Sequence, residues 1–180
     1  MEATIKQGQF TLLLWTLSDG LEKLDNMTDC RDAEHSTESS TQENVEEYLE
    51  VMTIMEEVGT NQVKISAIAN HLGIAPPSAV QMLRKLAKSG HVSYEPRRGV
   101  SLTDKGRSIG TRILRNHRIM EAFIFQTVKV DLDGRVGCAI EHHMTQEFTN
   151  TLCSWLAHPR KCPHGHQIPV GSCCVETTKA

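Results

Sequence analysis

The chain has 180 residues, 39% of them hydrophobic and 23% charged, and a formal net charge of −3. That length suits one or two small domains with a modest core, and an aromatic content of 4% disfavours a stacking platform for single-stranded nucleic acid. The apolar run at residues 10–17 is too short to span a bilayer, and Ser18-Asp19-Gly20 offers no convincing cleavage site, so the reading excludes a membrane span and a secretion signal. The six cysteines (30, 138, 153, 162, 173 and 174) are then expected as reduced thiols in a cytoplasm, available to a metal.

The net charge hides an asymmetry. Residues 59–118 hold eleven Lys or Arg against Glu95 and Asp104, 11 − 2 = +9, which leaves −3 − 9 = −12 for the remainder. A local basic excess of that size points to a polyanion, with a solvated basic surface as the plain alternative.

Residues 1–43 read as an extension: an amphipathic stretch near 10–24, then a polar linker in which Cys30 and His35 are bystanders. Order is expected from Asn44, an N-cap with Glu47 at N3. Val45, Tyr48, Met52, Met55 and Val58 mark a helical stripe that stops at Gly59, with Glu46, Glu47 and Glu50 on the other side. Those acids form either a solvated first turn or, for Glu47 and Glu50, carboxylates lent to a metal held elsewhere.

Next come two short helices joined by a Gly-containing turn, the second opening at Pro76-Pro77-Ser78 and running to Ser89-Gly90, which describes a helix-turn-helix. Ile65, Ile68, Ala69 and Leu72 are expected inward, with Val80, Leu83 and Leu86 of the second helix. The outward side of that helix carries Pro77, Ser78, Gln81, Arg84, Lys85 and Lys88. Gln can read an adenine edge, Ser a base or phosphate, and Lys or Arg a phosphate. Alternation over residues 91–95 and 100–102 predicts a β-hairpin with Arg97 and Arg98 at its tip, hence a winged helix.

Thr103 or Asp104 then caps a long helix to about Gln126, with Ile109, Ile113, Leu114, Met120 and Phe123 as its apolar face. His117 and Glu121 are i, i+4 on it, either a surface contact or a pair of ligands. In a helix over residues 136–155, Cys138, Glu141 and His142 fall at i, i+3 and i+4, so a thiolate, a carboxylate and an imidazole reach one ion. Val136, Ile140, Met144, Phe148, Leu152 and Trp155 form that helix's apolar stripe. The tail is dense in ligand types (Cys162, His164, Cys173, Cys174) but rich in Pro and Gly, so it reads as an ordered metal-free loop, with a second metal site as the alternative.

From about residue 44 to 168 the chain resembles the diphtheria-toxin-repressor family of metal-dependent transcriptional repressors, which includes the manganese-transport regulators. The motifs that carry the resemblance are Glu47-Tyr48-Leu49-Glu50, Pro77-Ser78-x-x-Gln81, Leu102-Thr103-x-x-Gly106, Arg115-Asn-His117-Arg118, Cys138-x-x-Glu141-His142-His143 and Cys162-Pro-His164-Gly165. The resemblance implies a homodimer on a palindromic DNA operator, with metal binding aligning the recognition helices. It also implies a primary metal site of Cys138, Glu141 and His142 with Glu47 and Glu50, and either an ancillary site of His117 with Glu121, as in iron-type members, or a two-metal cluster that His117 joins, as in manganese-type members. Glu47 matches the manganese-type members and Cys138 the iron-type ones, while Gly134 stands where iron-type members carry a ligand histidine.

The expectation is therefore a mainly α chain. Its parts are an extension (1–43), a winged helix-turn-helix of three helices and a hairpin wing (44–106), a helical metal-binding and dimerisation domain (107–157) and a Cys/His-rich tail (158–180). No SH3-like third domain is expected. The expected function is a cytoplasmic metal-dependent repressor of metal-homeostasis genes, not an enzyme, since no His-Glu-x-x-His run or phosphate loop is present. A Cys/His/carboxylate set favours Fe²⁺, with Mn²⁺ or Zn²⁺ as alternatives. The rival reading is a redox-responsive winged-helix repressor with a cysteine thiol as sensor.

Overall fold

The computed structural model describes residues 39–95, 97–127, 129 and 140–174. The extension, Pro96, Val136, Cys138 and residues 175–180 lie outside the described residues, as do the expectations attached to them.

Helix α1 spans Ser39–Glu57. Asn44 is therefore not an N-cap: no Gly or Pro interrupts 39–44, so the helix starts earlier, and Glu46, Glu47 and Glu50 lie beyond its first turn. The helix stops as expected at Gly59 (φ 88°), where Gly59 N donates to Glu56 O and Thr60 N to Met55 O. Its packing is wider than a stripe. Tyr48, Leu49, Val51, Met52 and Ile54 are all buried, and so are Glu46 and Glu50, whereas Val58 is exposed. Two surfaces cover α1, which is why a one-sided pattern failed to describe it.

The first surface is the winged helix. Helix α2 (Ile65–His71) and helix α3 (Pro76–Lys88) pack Ile68, Ala69, Leu72, Ala79, Leu83 and Leu86 against α1 in one core. Ala79, not Val80, points inward; Val80 is half-buried and faces the outer side of α3. Strands β1 (Val92–Glu95) and β2 (Gly99–Leu102) pair antiparallel with Val92 opposite Leu102 and Tyr94 opposite Val100. Val63 bridges to Val100 from the other edge, so close that a Cβ on Gly99 would lie 2.6 Å from Val63 O. Only glycine fits there, and its φ of 126° demands the same residue.

The second surface is helix α4 (Asp104–Thr127). Thr103 caps it, accepting from Gly106 N. It crosses α1 at Gly110, where a Cβ would sit 2.2 Å from Thr53 Oγ1 and 2.4 Å from Leu49 O. From Ile113 to Ala122 every residue is buried, including Arg115, Asn116, His117 and Arg118, so α4 is a central rod rather than an amphipathic surface helix. Arg112 pairs with Glu46, Arg118 bidentately with Glu57 and Arg107 with Glu56. Arg115 and Arg118 are buried, and Arg107 and Arg112 are paired with acids of α1, so the unpaired basic excess facing outward is smaller than the sequence count.

The expected single helix over 136–155 is not continuous. Residues 140–141 are helical, the chain then bends, and helix α5 (Gln146–Trp155) starts afresh with Thr145 as N-cap, accepting from Phe148 N at 3.2 Å. Asn116 stabilises the break by donating to Glu141 O (2.9 Å) and Met144 O (3.3 Å) and accepting from Thr149. Carbonyls freed from a helix are thereby satisfied from α4. The stripe splits as a result: Met144 packs on Met120 and Ile124, while Ile140, Phe148 and Trp155 are exposed. The described part of the tail returns as an ordered loop, with Cys162 N bonded to His166 O and Ile168 N to Arg160 O, and reaches a short 3₁₀ turn, Ser172–Cys174.

Candidate metal centre

His117 is the middle of the site, 1% exposed on α4. Its Nδ1 is 2.5 Å from Glu141 Oε2, and its Nε2 is 3.2 Å from Glu121 Oε1. Glu50 reaches the same point from α1, and one ligand atom each of Glu50, His117 and Glu141 fall within 4.8 Å of one another. A second group with the same closeness is Glu121, Cys162 and His164, in which His164 Nδ1 is 3.2 Å from Glu121 Oε1. His117 thus stands between two clusters, a carboxylate on each ring nitrogen.

The electrostatics of the centre call for a cation. Glu50 is 1% and Glu141 0% exposed, and among the described residues Glu50 Oε2, Glu121 Oε2 and Glu141 Oε1 have no hydrogen-bond partner, with only the ion-pair approach of His142 at the last. Burial and the neighbouring Glu141 carboxylate push Glu50 well above the usual carboxylate range. Burial opposes a charge on His117, yet Glu141, Glu121 and Glu50 together raise its pKa well above the ordinary imidazole value. Dry carboxylates with bare oxygens cost several kcal/mol each unless a proton or an ion compensates them. A divalent ion would do so through oxygen and imidazole donors already assembled, and these residues fit one.

Around this centre His142 lies 2.9 Å through Nδ1 from Glu46 Oε2 and 3.3 Å through Nε2 from Glu141 Oε1. Burial works against the charge of Glu46, but His142 and Arg112 outweigh it and hold its carboxyl below the usual range. Of the residues expected from sequence, Glu50, His117 and Glu141 come together, with Glu121 and His142 adjoining. Glu47 is half-buried and outside the converging group, and Cys138 is outside the described residues. The reading of the α1 acids as a solvated turn is overturned by the burial of Glu46 and Glu50. Glu46 and Asn116 were missed. Nothing in local spacing marks either, although the Arg115-Asn-His117-Arg118 motif contained the second.

Residues 40–100 match the profile described as the N-terminal DNA binding domain of iron dependent repressors, and residues 103–170 match their metal binding and dimerisation domain. The HTH-type transcriptional regulator MntR of Geobacillus kaustophilus is 34% identical over 108 residues, covering 56% of this chain and 72% of that protein. This chain belongs to the diphtheria-toxin-repressor family. An HTH-type transcriptional regulator of Methanocaldococcus jannaschii is 29% identical over 112 residues, 61% of this chain and 90% of that one. Among solved structures, a manganese-dependent transcriptional repressor in complex with manganese superposes with a TM-score of 0.65 at 27% identity over 71% of this chain. The chain spans 59% of the length of that repressor. The family is one of metal-dependent DNA-binding regulators, not of enzymes.

On α3, the helix expected from sequence to read DNA, Pro77, Ser78, Gln81, Arg84 and Lys85 are all exposed. Pro77, Gln81, Arg84, Lys85 and Lys88 line a shallow depression with Val80. At the wing tip Arg97 (φ 72°) and Arg98 are exposed, and Arg98 leans 3.3 Å from Glu95. Among the described residues, no helix is long and apolar enough to cross a membrane.

The tail ligands do not form the one site considered from sequence. Cys162 and His164 join Glu121, whereas Cys173 and Cys174 join Cys153 and His158. The hairpin-like return between Cys162 and His166 folds the first pair onto Glu121 of α4, while the second pair sits against Cys153 and His158.

Asn116 fixes the turn that presents Glu141. Asn116→Ala is expected to weaken metal binding about 10-fold or more, as loss of a supporting contact does in other metal sites. Isothermal titration with Mn²⁺ would measure this, and an unchanged affinity would remove Asn116 from the site's support.

Proposed function

We propose that this chain is a metal-activated repressor that binds double-stranded DNA as a homodimer at a palindromic operator and controls metal-homeostasis genes, with Fe²⁺ as its working ion. The observation that carries this reading is the dry group Glu50, His117 and Glu141, whose bare carboxylate oxygens come from different parts of the fold. Glu50 is on α1, inside the winged-helix core, His117 is on α4, and Glu141 is on the turn that Asn116 holds. A bound divalent ion supplies the positive charge these residues lack. Its ligands then tie α1 to α4 and to that turn, fixing the winged helix relative to the helices beyond it.

Operator DNA prefers that placement, so metal and DNA strengthen each other's binding; couplings of this kind are about 1–3 kcal/mol. The carboxylates and imidazoles accept Mn²⁺ and Fe²⁺ alike, and the thiol of Cys138, three residues before Glu141 in the sequence, is the softer donor that favours Fe²⁺. Support for a homodimer comes from the exposed apolar side chains Ile140, Phe148 and Trp155, which are 38%, 47% and 65% exposed.

The test is fluorescence anisotropy of metal-free protein on the DNA upstream of its own coding sequence, under anaerobic conditions. Fe²⁺, Mn²⁺ and Zn²⁺ are titrated separately, each followed by a chelator. Fe²⁺ is expected to tighten binding about tenfold or more at the lowest free concentration, which is within the usual range of coupling. A response to Mn²⁺ but not to Fe²⁺ would replace the ion, and tight binding indifferent to every metal would overturn the proposal.

A further inference from the structure

Four ligand side chains, one on α5 and three in the tail, are not used by the regulatory centre. Cys153 is fully buried on α5, His158 follows that helix, and Cys173 and Cys174 close the 3₁₀ turn. None of the three cysteines is in a disulfide. The separations are Cys153 Sγ to Cys174 Sγ 3.6 Å, Cys173 Sγ to Cys174 Sγ 3.8 Å, Cys153 Sγ to His158 Nδ1 3.6 Å and Cys174 Sγ to His158 Nδ1 3.7 Å. The remaining two pairs are within 4.8 Å. Tetrahedral zinc with Zn–S of about 2.3 Å and Zn–N of about 2.05 Å requires S···S edges of about 3.8 Å and S···N edges of about 3.6 Å. Four of the six edges already have those lengths.

We propose that Cys153, His158, Cys173 and Cys174 form a closed tetrahedral site for a structural Zn²⁺ ion, separate from the regulatory centre.

Two further observations point the same way. Ala157 and His158 both have left-handed backbones, φ 57° and 56°, with Ala157 N bonded to Ser154 O and His158 N to Cys153 O. Helix ends of this kind normally place glycine at the first such position. Two consecutive non-glycine residues held there are strained, and in this conformation the His158 ring lies 3.6 Å from Cys153 Sγ. The second observation is charge. Three thiolates and a neutral histidine around Zn²⁺ leave one negative charge, and the buried Arg115 guanidinium donates to Cys173 Sγ at 3.2 Å. Arg115 also donates to Asn150 Oδ1 and to Pro169 O, which fixes it in that place.

All four ligands come from protein, so no coordination position is left open for a signal or a substrate, and the site is structural. It grips both ends of the loop between His158 and Cys173. That loop bears Cys162 and His164, so the zinc would hold in place the residues that meet Glu121.

The test uses the full chain carrying Cys138→Ser, so that no thiolate remains at the regulatory centre. Metal-free, reduced protein is titrated with Co²⁺ and followed by absorption. One equivalent is expected to give sulfur-to-cobalt charge transfer and the intense visible bands of tetrahedral cobalt, bleached by Zn²⁺. Adding Cys173→Ser or His158→Gln should weaken or shift those bands while far-ultraviolet circular dichroism stays unchanged, and Cys162→Ser should leave them intact. Absence of thiolate charge transfer, or its persistence in Cys173→Ser combined with Cys174→Ser, would overturn the site. On the unmodified chain, Zn²⁺ should slow alkylation of Cys153, Cys173 and Cys174 at least about tenfold, a change of about 1.4 kcal/mol. Equal rates with and without Zn²⁺ would overturn it as well. Neither readout involves DNA, so the result is independent of the proposed regulatory function.

Discussion

Glu50→Gln is expected to abolish the metal-induced tightening of DNA binding while leaving the metal-free protein folded and as stable as before. In the metal-free state, burial and Glu141 push the Glu50 carboxyl well above the usual carboxylate range, which favours its neutral form, and a glutamine amide has nearly the same shape and no charge. The substitution therefore removes little from the apo fold. It does remove the carboxylate that α1 contributes to the ion, and with it the bond between the winged helix and α4. Loss of the whole coupling corresponds to about 5- to 150-fold in DNA affinity. Anisotropy with and without metal, beside thermal melts of both apo proteins, measures the two effects separately. A Glu50→Gln protein that still responds fully to metal would show that the cluster is not the regulatory centre. A protein whose apo melting temperature collapses would show that Glu50 is structural.

Gln81→Ala should weaken binding to the operator by about 1–3 kcal/mol and relax discrimination at one base pair, because a Gln amide pairs with both edge groups of adenine in the major groove. Gln81 is exposed on α3, next to Arg84 and Lys85. Arg97→Ala or Arg98→Ala at the wing should behave differently. Each is expected to weaken specific and non-specific DNA about equally and to lower the slope of log affinity against log salt by about 1. Titrations of operator and scrambled duplexes at several salt concentrations separate the two behaviours. If Gln81→Ala weakened both duplexes equally and changed the salt slope, α3 would be gripping phosphates, not reading bases.

How much of this was legible beforehand differs from element to element. The winged helix was, since each of its signals is local: prolines opening α3, a glycine at each stop, alternation in the wing and Thr103 capping α4. Local geometry needs no knowledge of distant neighbours. The continuous helix expected over 136–155 failed for the opposite reason. Its break is held by Asn116, which lies 25 residues from Glu141 in the chain, and by the Thr145 cap, a short-range signal that the apolar periodicity obscured. The same distance effect hid Glu46, whose burial depends on Arg112 and His142.

The residue types of the chemistry were set by the sequence alone: carboxylates on α1, a histidine and a carboxylate one turn apart on α4, a glutamate and histidine side by side at 141–142, and cysteines and histidines in the tail. Tertiary structure decided the grouping. Donors from α1, α4 and the turn after it converge because Gly110 lets α1 and α4 approach to backbone contact, and no spacing rule can state that approach. It likewise divided the tail, sending Cys162 and His164 to Glu121 and joining Cys173 and Cys174 to Cys153 and His158. Sequence fixes which atoms can bind a cation, but binding needs several of them within a few ångströms, and only the packed chain sets those distances.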